Sequence, residues 1–268
     1  MKLNSLTSIY LFVSWIILCP QSFAQSPVAG QITYEGIRKF DPSGMRVVIG
    51  GEEVKPGDPN FPAELPDARA FSLNVLFNDQ YLKEEGGQQS TGLRTMVSRP
   101  FPGGPGGPPP RNPGRPFDEQ TYIDLSRQYV ITLLTIGKDK EARTYRAEVA
   151  IPRRNDWHLT DQTKRVAGYT CRKATITYRN ETYTAWITDE LPFTYSPIRE
   201  LTPNAGVILL VEGSREQFRA TKVSPASGSA NEVQPPAQAE LISIQKLNDL
   251  REKAIADFQQ QLMMDRRN

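Results

Sequence analysis

Few side chains in this sequence are suited to nucleophilic chemistry. His158 is the only histidine of the chain, and catalysis by a Ser or Cys ordinarily needs such a base nearby. Cys171 and His158 are therefore the one pair of residues that we consider as nucleophile and base. Cys171 stands in a stretch that alternates apolar and polar residues, where a free cysteine behaves as a small core residue. The sequence predicts no catalytic residue and a chain that is not an enzyme.

Metal and cofactor sites are not indicated either. One histidine and one cysteine outside the N-terminal segment do not make a zinc site, and the acidic residues lack the D-x-D-x-D-G spacing of a calcium loop. No phosphate-binding glycine motif follows a predicted strand. Prolines separate the glycines near position 105, and proline has no N–H to offer a phosphate. We predict no metal and no cofactor.

An aromatic cluster is the best candidate for binding. In a strand through Tyr183 and Trp186, side chains alternate, so these two aromatics lie on opposite faces. Either a second layer covers the face of Trp186, which is then ordinary core, or that face lines a concavity. The second alternative predicts a ligand site at Trp186, Thr184 and Tyr169.

Short strands must position these residues. Stretches with period-two alternation or β-branched and aromatic residues predict strands, and no helices are interleaved between them. This pattern favours a mainly β, antiparallel, curved or partly open barrel or half-barrel. The predicted strands cover residues 31–35, 71–77, 121–125, 129–135, 145–149, 174–178, 183–187, 207–211 and 217–223.

Two segments interrupt this pattern. Residues 99–116 are dominated by Pro and Gly, which support neither helix nor sheet, and they predict a mobile loop within the domain 25–223. Residues 224–238 have a similar composition and predict a flexible linker.

An amphipathic helix is predicted after the linker, over residues 239–264. Apolar residues recur there at spacings of three and four, with no internal Gly or Pro. This stripe either folds back on its own sheet or docks on an envelope protein partner. For the second alternative the predicted contact residues are Leu247, Leu250, Phe258 and Leu262.

The N-terminus predicts export. Lys2 precedes an apolar run, and small residues at Ser22 and Ala24 fit signal peptidase cleavage, so residues 1–24 form a signal peptide and the mature chain starts at Gln25. The run is shorter than the roughly 20 residues that span a bilayer, so no membrane span is expected after cleavage. With 32 Lys and Arg against 30 Asp and Glu, the charge predicts no nucleic-acid partner. We expect the periplasm, outer membrane or extracellular space.

Three blocks of the sequence follow one another in a distinctive order: Trp157 to Lys164, GYTCRKA from Gly168 and TYTAWITDELP from Thr182. In these blocks the chain resembles the GLPGLI family of exported envelope proteins. The motif that gives the family its name is altered in this chain, which has LTPNAGVIL from Leu201. A turn is still predicted before the strand at Val207. The resemblance implies an exported β-sheet protein without an established activity.

Two functional hypotheses follow. The first is a non-catalytic envelope binding protein that holds an apolar small molecule or lipid in the concave face of its sheet. The alternative is a scaffold protein that acts through its C-terminal helix and mobile loop.

Overall fold

The computed structural model describes residues 29–39, 47–49, 52–54, 58, 68–86, 116–225 and 233–265. The predicted signal peptide, residues 99–115 of the predicted loop and residues 226–232 of the predicted linker lie outside these ranges.

The described chain is a series of strands followed by one helix. The strands are β1 Gly30–Lys39, β2 Val47–Ile49, β3 Glu52–Val54, β4 Ala68–Phe77, β5 Tyr81–Gly86, β6 Phe117–Asp124, β7 Tyr129–Ile136, β8 Arg143–Ala150, β9 His158–Val166, β10 Tyr169–Tyr178, β11 Glu181–Thr188, β12 Val207–Glu212, β13 Glu216–Pro225 and β14 Glu240–Leu241. Helix α1 covers Ile244–Asp265.

Twelve strands form one open sheet in the order β14-β8-β7-β6-β5-β4-β1-β13-β12-β11-β10-β9, and β2 pairs with β3 separately. Every pair in the large sheet is antiparallel except β14 with β8. The prediction of a mainly β, antiparallel, partly open sheet with a C-terminal helix is confirmed. None of the described helices has the length and apolarity to cross a bilayer.

Alternation along the strands divides the sheet into two faces. In β11, Tyr183, Ala185 and Ile187 are buried while Thr184 and Trp186 between them are half-buried. In-register partners share a face, so the buried side of β11 continues through Val211 of β12 to Phe218 of β13. We call this side the covered face and the side of Trp186 the opposite face.

Tight turns set the register of neighbouring strands. Arg179 and Asn180 join β10 to β11 with φ of 50° and 62°, as a two-residue type I′ hairpin requires. Gly206, before β12, has φ of 83°. A Cβ at this position would lie 2.7 Å from Asp189 Oδ1 and 2.9 Å from Thr188 O. Both backbone conformation and space therefore demand glycine there.

The edge strand β9 is irregular. Its pairing with β10 shifts between Arg172↔Thr163 and Ala174↔Leu159, so three residues of β9 face one residue of β10. This is a β-bulge, which bends a strand and leaves extra residues unpaired. Along β9, all side chains except Val166 are exposed.

Candidate functional site

The connection between β11 and β12, residues 189–206, packs on the covered face. Phe193 packs against Phe77 of β4 with tilted rings whose centroids are 4.9 Å apart, and the ring centroids of Tyr195 and Tyr34 of β1 are 6.1 Å apart. Leu191, Phe193, Tyr195, Ile198 and Leu201 all belong to the main hydrophobic core. The connection thus covers, with the chain's own side chains, the face of the sheet to which Tyr183 belongs.

An ionic anchor holds this connection to the sheet. Glu84 of β5 accepts a hydrogen bond from the Tyr195 hydroxyl at 2.6 Å, and its other oxygen lies 2.5 Å from the Arg199 guanidinium. Burial, and then the charge of Glu84, raise the pKa of Tyr195 well above its usual range. Because both carboxylate oxygens are engaged by the connection, we assign this cluster a role in anchoring it.

Helix α1 covers the other end of the same face. Ser243 Oγ accepts the Lys246 N–H at 3.2 Å and caps the helix. Leu247 is fully buried against Leu134 and Ala147, and Arg251 makes a two-pronged ion pair with Glu119 of β6 at 2.9 and 3.0 Å.

The four residues of α1 that were predicted to contact a partner differ in how deeply they are buried. Leu247 is buried and Leu250 is half-buried against strands of the same sheet. Phe258 and Leu262, further along, are half-buried. The prediction that this helix serves a protein partner is wrong, since the apolar start of its stripe packs on its own domain.

The predicted ligand residues Trp186 and Thr184 lie on the opposite face. Their in-register neighbours on β10 are Lys173 and Thr175, and all four side chains are half-buried. This combination of one large aromatic with hydroxyl and amine groups on an accessible sheet surface suits a polar, ring-shaped ligand.

Lys164 of β9 completes this surface. Its Nζ lies 4.3 Å from the centroid of the Trp186 ring, at the distance of a cation–π interaction. Lys164 stands in register with Cys171 of β10, two positions before Lys173. We call Trp186, Thr184, Thr175, Lys173 and Lys164 the Trp186 surface.

Tyr169 shares β10 with this surface but does not adjoin Trp186. It stands four positions from Lys173, the residue opposite Trp186, which is about 13 Å along a strand. Burial, followed by the charge of Glu190, raises the pKa of Tyr169. Glu190 accepts the Thr170 N–H at 3.0 Å, which places it at this end of β10. Tyr169 is thus at most a distal contact.

The structure does not bring Cys171 and His158 together. Cys171 pairs with Lys164 and His158 pairs with Thr175, four positions further along β10. Cys171 is fully buried, and burial is the main cause that raises the pKa of its thiol to about 11. Among the described residues, no three His, Cys, Asp or Glu side chains are grouped as metal ligands.

Sequence reasoning missed the two lysines and the ionic anchor. Lys164 sits on a strand without apolar alternation, so nothing in its neighbourhood predicted a strand. Glu84 and Arg199 are brought together only by the fold. A cross-strand assignment of β10 to β11 would have placed Lys173 beside Trp186, because the hairpin turn fixes that register.

Comparison with known proteins identifies a family. A family model described as N-glycanase peptide, N-terminal domain, matches residues 113–247, half of the 268 residues. The matched range runs from before β6 into α1 and contains the Trp186 surface. No curated protein sequence matches the chain.

A solved structure shares the fold. The structure of PNGF-II in the C2 space group has a TM-score of 0.50 and 12% identity, with 84% of this chain and 33% of that chain covered. The structure of PNGF-II in the P21 space group has a TM-score of 0.49 and 12% identity, with 84% and 34% covered. The chain spans about a third of the length of these structures.

The family match corrects several predictions. Assignment to the GLPGLI family is wrong, because the matching model is that of N-glycanase N-terminal domains. The same match contradicts three further predictions: that the chain is not an enzyme, that it is a non-catalytic binder of an apolar small molecule or lipid, and that it is a scaffold acting through its helix. The amine and hydroxyl groups beside Trp186 and Thr184 on the opposite face give the physical reason against an apolar ligand. The coarser prediction of export stands.

Proposed function

Because this chain belongs to the family of N-glycanase N-terminal domains, we propose that it acts on N-glycosylated proteins and takes part in removing their glycans. The family match over residues 113–247 is the observation that carries this proposal. A glycan presents sugar rings with one apolar side and a rim of hydroxyl groups, so it needs an aromatic platform beside polar side chains.

The Trp186 surface offers both of these groups. Trp186 and Thr184 stand on β11 and Lys173 and Thr175 stand opposite them on β10, so the residues are fixed by main-chain pairing rather than carried on a loop. A rigid sheet loses little conformational entropy when a ligand binds. We propose this surface as the glycan contact, with Tyr169 as a distal contact.

Binding to one glycoprotein in two forms tests the proposal. The chain is titrated with a glycoprotein that carries N-glycans and with the same protein after its glycans have been stripped. We expect binding to the glycosylated form alone, and Trp186→Ala should weaken it about tenfold, the loss of one stacked aromatic contact. Leu241→Ala is the matched control, because Leu241 is an exposed apolar residue at the far edge of the sheet.

Release of glycans is measured on the same mixtures by gel mobility and mass spectrometry. Release that falls in Trp186→Ala in step with binding supports the proposed contact. Equal binding of the glycosylated and stripped forms would refute the proposal, provided that circular dichroism shows folded protein.

We further propose that export delivers the chain to the periplasm or to the cell exterior. The small residues before Gln25 support this location. Immunodetection in cytoplasmic, periplasmic and medium fractions tests it, and recovery in the cytoplasm alone would contradict it.

A further inference from the structure

Two positive charges adjoin the indole ring of Trp186. Lys164 Nζ lies 4.3 Å from the ring centroid, and Lys173 is the in-register neighbour of Trp186 on β10. Side chains directly opposite each other in a sheet have Cβ atoms about 5 Å apart. Both amines are therefore within reach of a group seated on the ring.

Neither of these lysines has an acidic partner within the described part of the chain. The ion pairs found there involve other residues. The carboxylates near the surface by register are Asp161, in the bulge of β9 that faces Lys173, Glu190, which accepts the Thr170 N–H, and Glu212, opposite Thr184. The pair of ammonium charges is thus left to solvent and to a ligand.

We propose that the Trp186 surface selects N-glycans that carry an acidic sugar. This inference rests on the proposed function and names its substrate class. The sugar ring packs on Trp186, and the anionic group, a carboxylate or a phosphate, is bound by Lys164 and Lys173. Two lysines contribute point charges with rotatable donors, which suit either anion.

The cation–π contact gives Lys164 a second role. In the free protein the ring holds the ammonium in place and limits its rotamers, which reduces the entropy lost when the anion binds. Lys173 is half-buried between neighbouring strands, so its stem is also restrained. The site is thus partly pre-organised for an anion.

Three N-glycopeptides of one peptide sequence and the bare peptide test the inference. One glycopeptide carries a sialylated glycan, one its desialylated counterpart and one a glycan with a phosphorylated mannose. Affinity is measured with the full chain at low and high salt. We expect the acidic forms to bind about tenfold tighter than the neutral form, an advantage that shrinks with added salt. The two acidic probes show whether carboxylate or phosphate is preferred.

Variants separate charge from packing. Lys164→Gln, Lys173→Gln and the double variant keep long polar side chains, and the double variant should bind acidic and neutral forms equally. Lys222→Gln, at an exposed lysine of β13, is the matched control and should keep the acidic preference.

The outcomes distinguish this inference from the function on which it rests. Equal affinity for acidic and neutral forms, both above the bare peptide, would overturn the acidic selectivity and leave the glycan contact standing. A double variant that loses neutral binding as well would show that the lysines only support the fold of the surface, and would also overturn it. Failure of every glycopeptide to bind above the bare peptide would overturn both.

Discussion

Replacing Glu84 by glutamine should loosen the connection over residues 189–206 from the sheet. The variant keeps an oxygen that accepts the Tyr195 hydroxyl, but it removes the negative charge that lies 2.5 Å from Arg199. Burial disfavours the charged form of Arg199, but the charge of Glu84, together with its hydrogen bond and the contributions of Tyr195, more than offsets this, so the pKa of Arg199 is raised. Without Glu84, the Arg199 guanidinium is still partly desolvated, but it has lost the interactions with Glu84 that offset this unfavourable burial.

The magnitude follows from burial. Breaking a fully buried ion pair by removing one partner costs about 3–5 kcal/mol. The side chains of Glu84 and Arg199 are 14% and 24% exposed, so water screens part of the interaction, and we expect about 2–3 kcal/mol. With a typical urea dependence this loss lowers the denaturation midpoint by about 1 M.

Urea denaturation followed by tryptophan fluorescence measures this loss. The matched control is Glu85→Gln, one position along β5, where the carboxylate is 46% exposed and pairs with Lys83 at 2.7 Å. An exposed pair of this kind contributes about 0–1 kcal/mol. The double variant Glu84→Gln/Arg199→Met should recover part of the lost stability, because it removes the uncompensated charge.

Equal midpoints for Glu84→Gln and Glu85→Gln would refute this reasoning. They would show that Arg199 reaches solvent without cost once its partner is gone, and that hydrophobic packing alone holds the connection on the covered face.

Three further predictions concern other parts of the fold. Burial acts to raise the pKa of Asp124, but hydrogen bonds from Arg127 and Ser126 lower it to about 2; against an unfolded value of about 3.9, this contributes roughly 2.5 kcal/mol that is present above pH 4 and lost as pH falls towards 2. Acid titration of stability should therefore be shallower in Asp124→Asn, and an unchanged slope would contradict the assignment. With its pKa at about 11, native Cys171 should react with iodoacetamide at pH 8 at least about a hundredfold more slowly than in urea; equal rates would show an accessible thiolate. Leu247→Ala should cost about 2–5 kcal/mol in urea denaturation and the half-buried Leu262→Ala less than about 1 kcal/mol, and the reverse order would contradict the docking of α1.

Most strands that could be predicted have one side facing solvent, and β12, which is buried along residues 207–211, was predicted from its continuous apolar run. Residues 174–178 and 183–187 alternate clearly, and they form the hairpin of β10 and β11. The strands that were missed break this rule. In β5 the acidic side chains point to both faces, because Glu84 is turned inward to an arginine. In β9 nearly every side chain is exposed, so no hydrophobic period exists.

Long-range pairings limited prediction of the site. Glu84 and Tyr195 are 111 positions apart, and no local sequence pattern around either residue predicts that the two are in contact. The blocks GYTCRKA and TYTAWITDELP encode the hairpin of β10 and β11, so their pattern is typical of a sheet rather than of one family. This explains why the fold could be predicted from them while the family and function were wrong.

Strand β1 lies in the interior of the sheet, between β4 and β13. Its Thr33 carbonyl accepts a hydrogen bond from Thr221, 188 positions later. Because β1 leaves a ribosome or a secretion channel long before β13, its second edge stays unpaired until β13 has followed. Folds dominated by such non-local contacts form slowly, since the loop entropy must be lost before the contacts are gained. For an exported chain this delay is useful, because a protein that cannot complete its sheet early stays unfolded while it crosses the membrane.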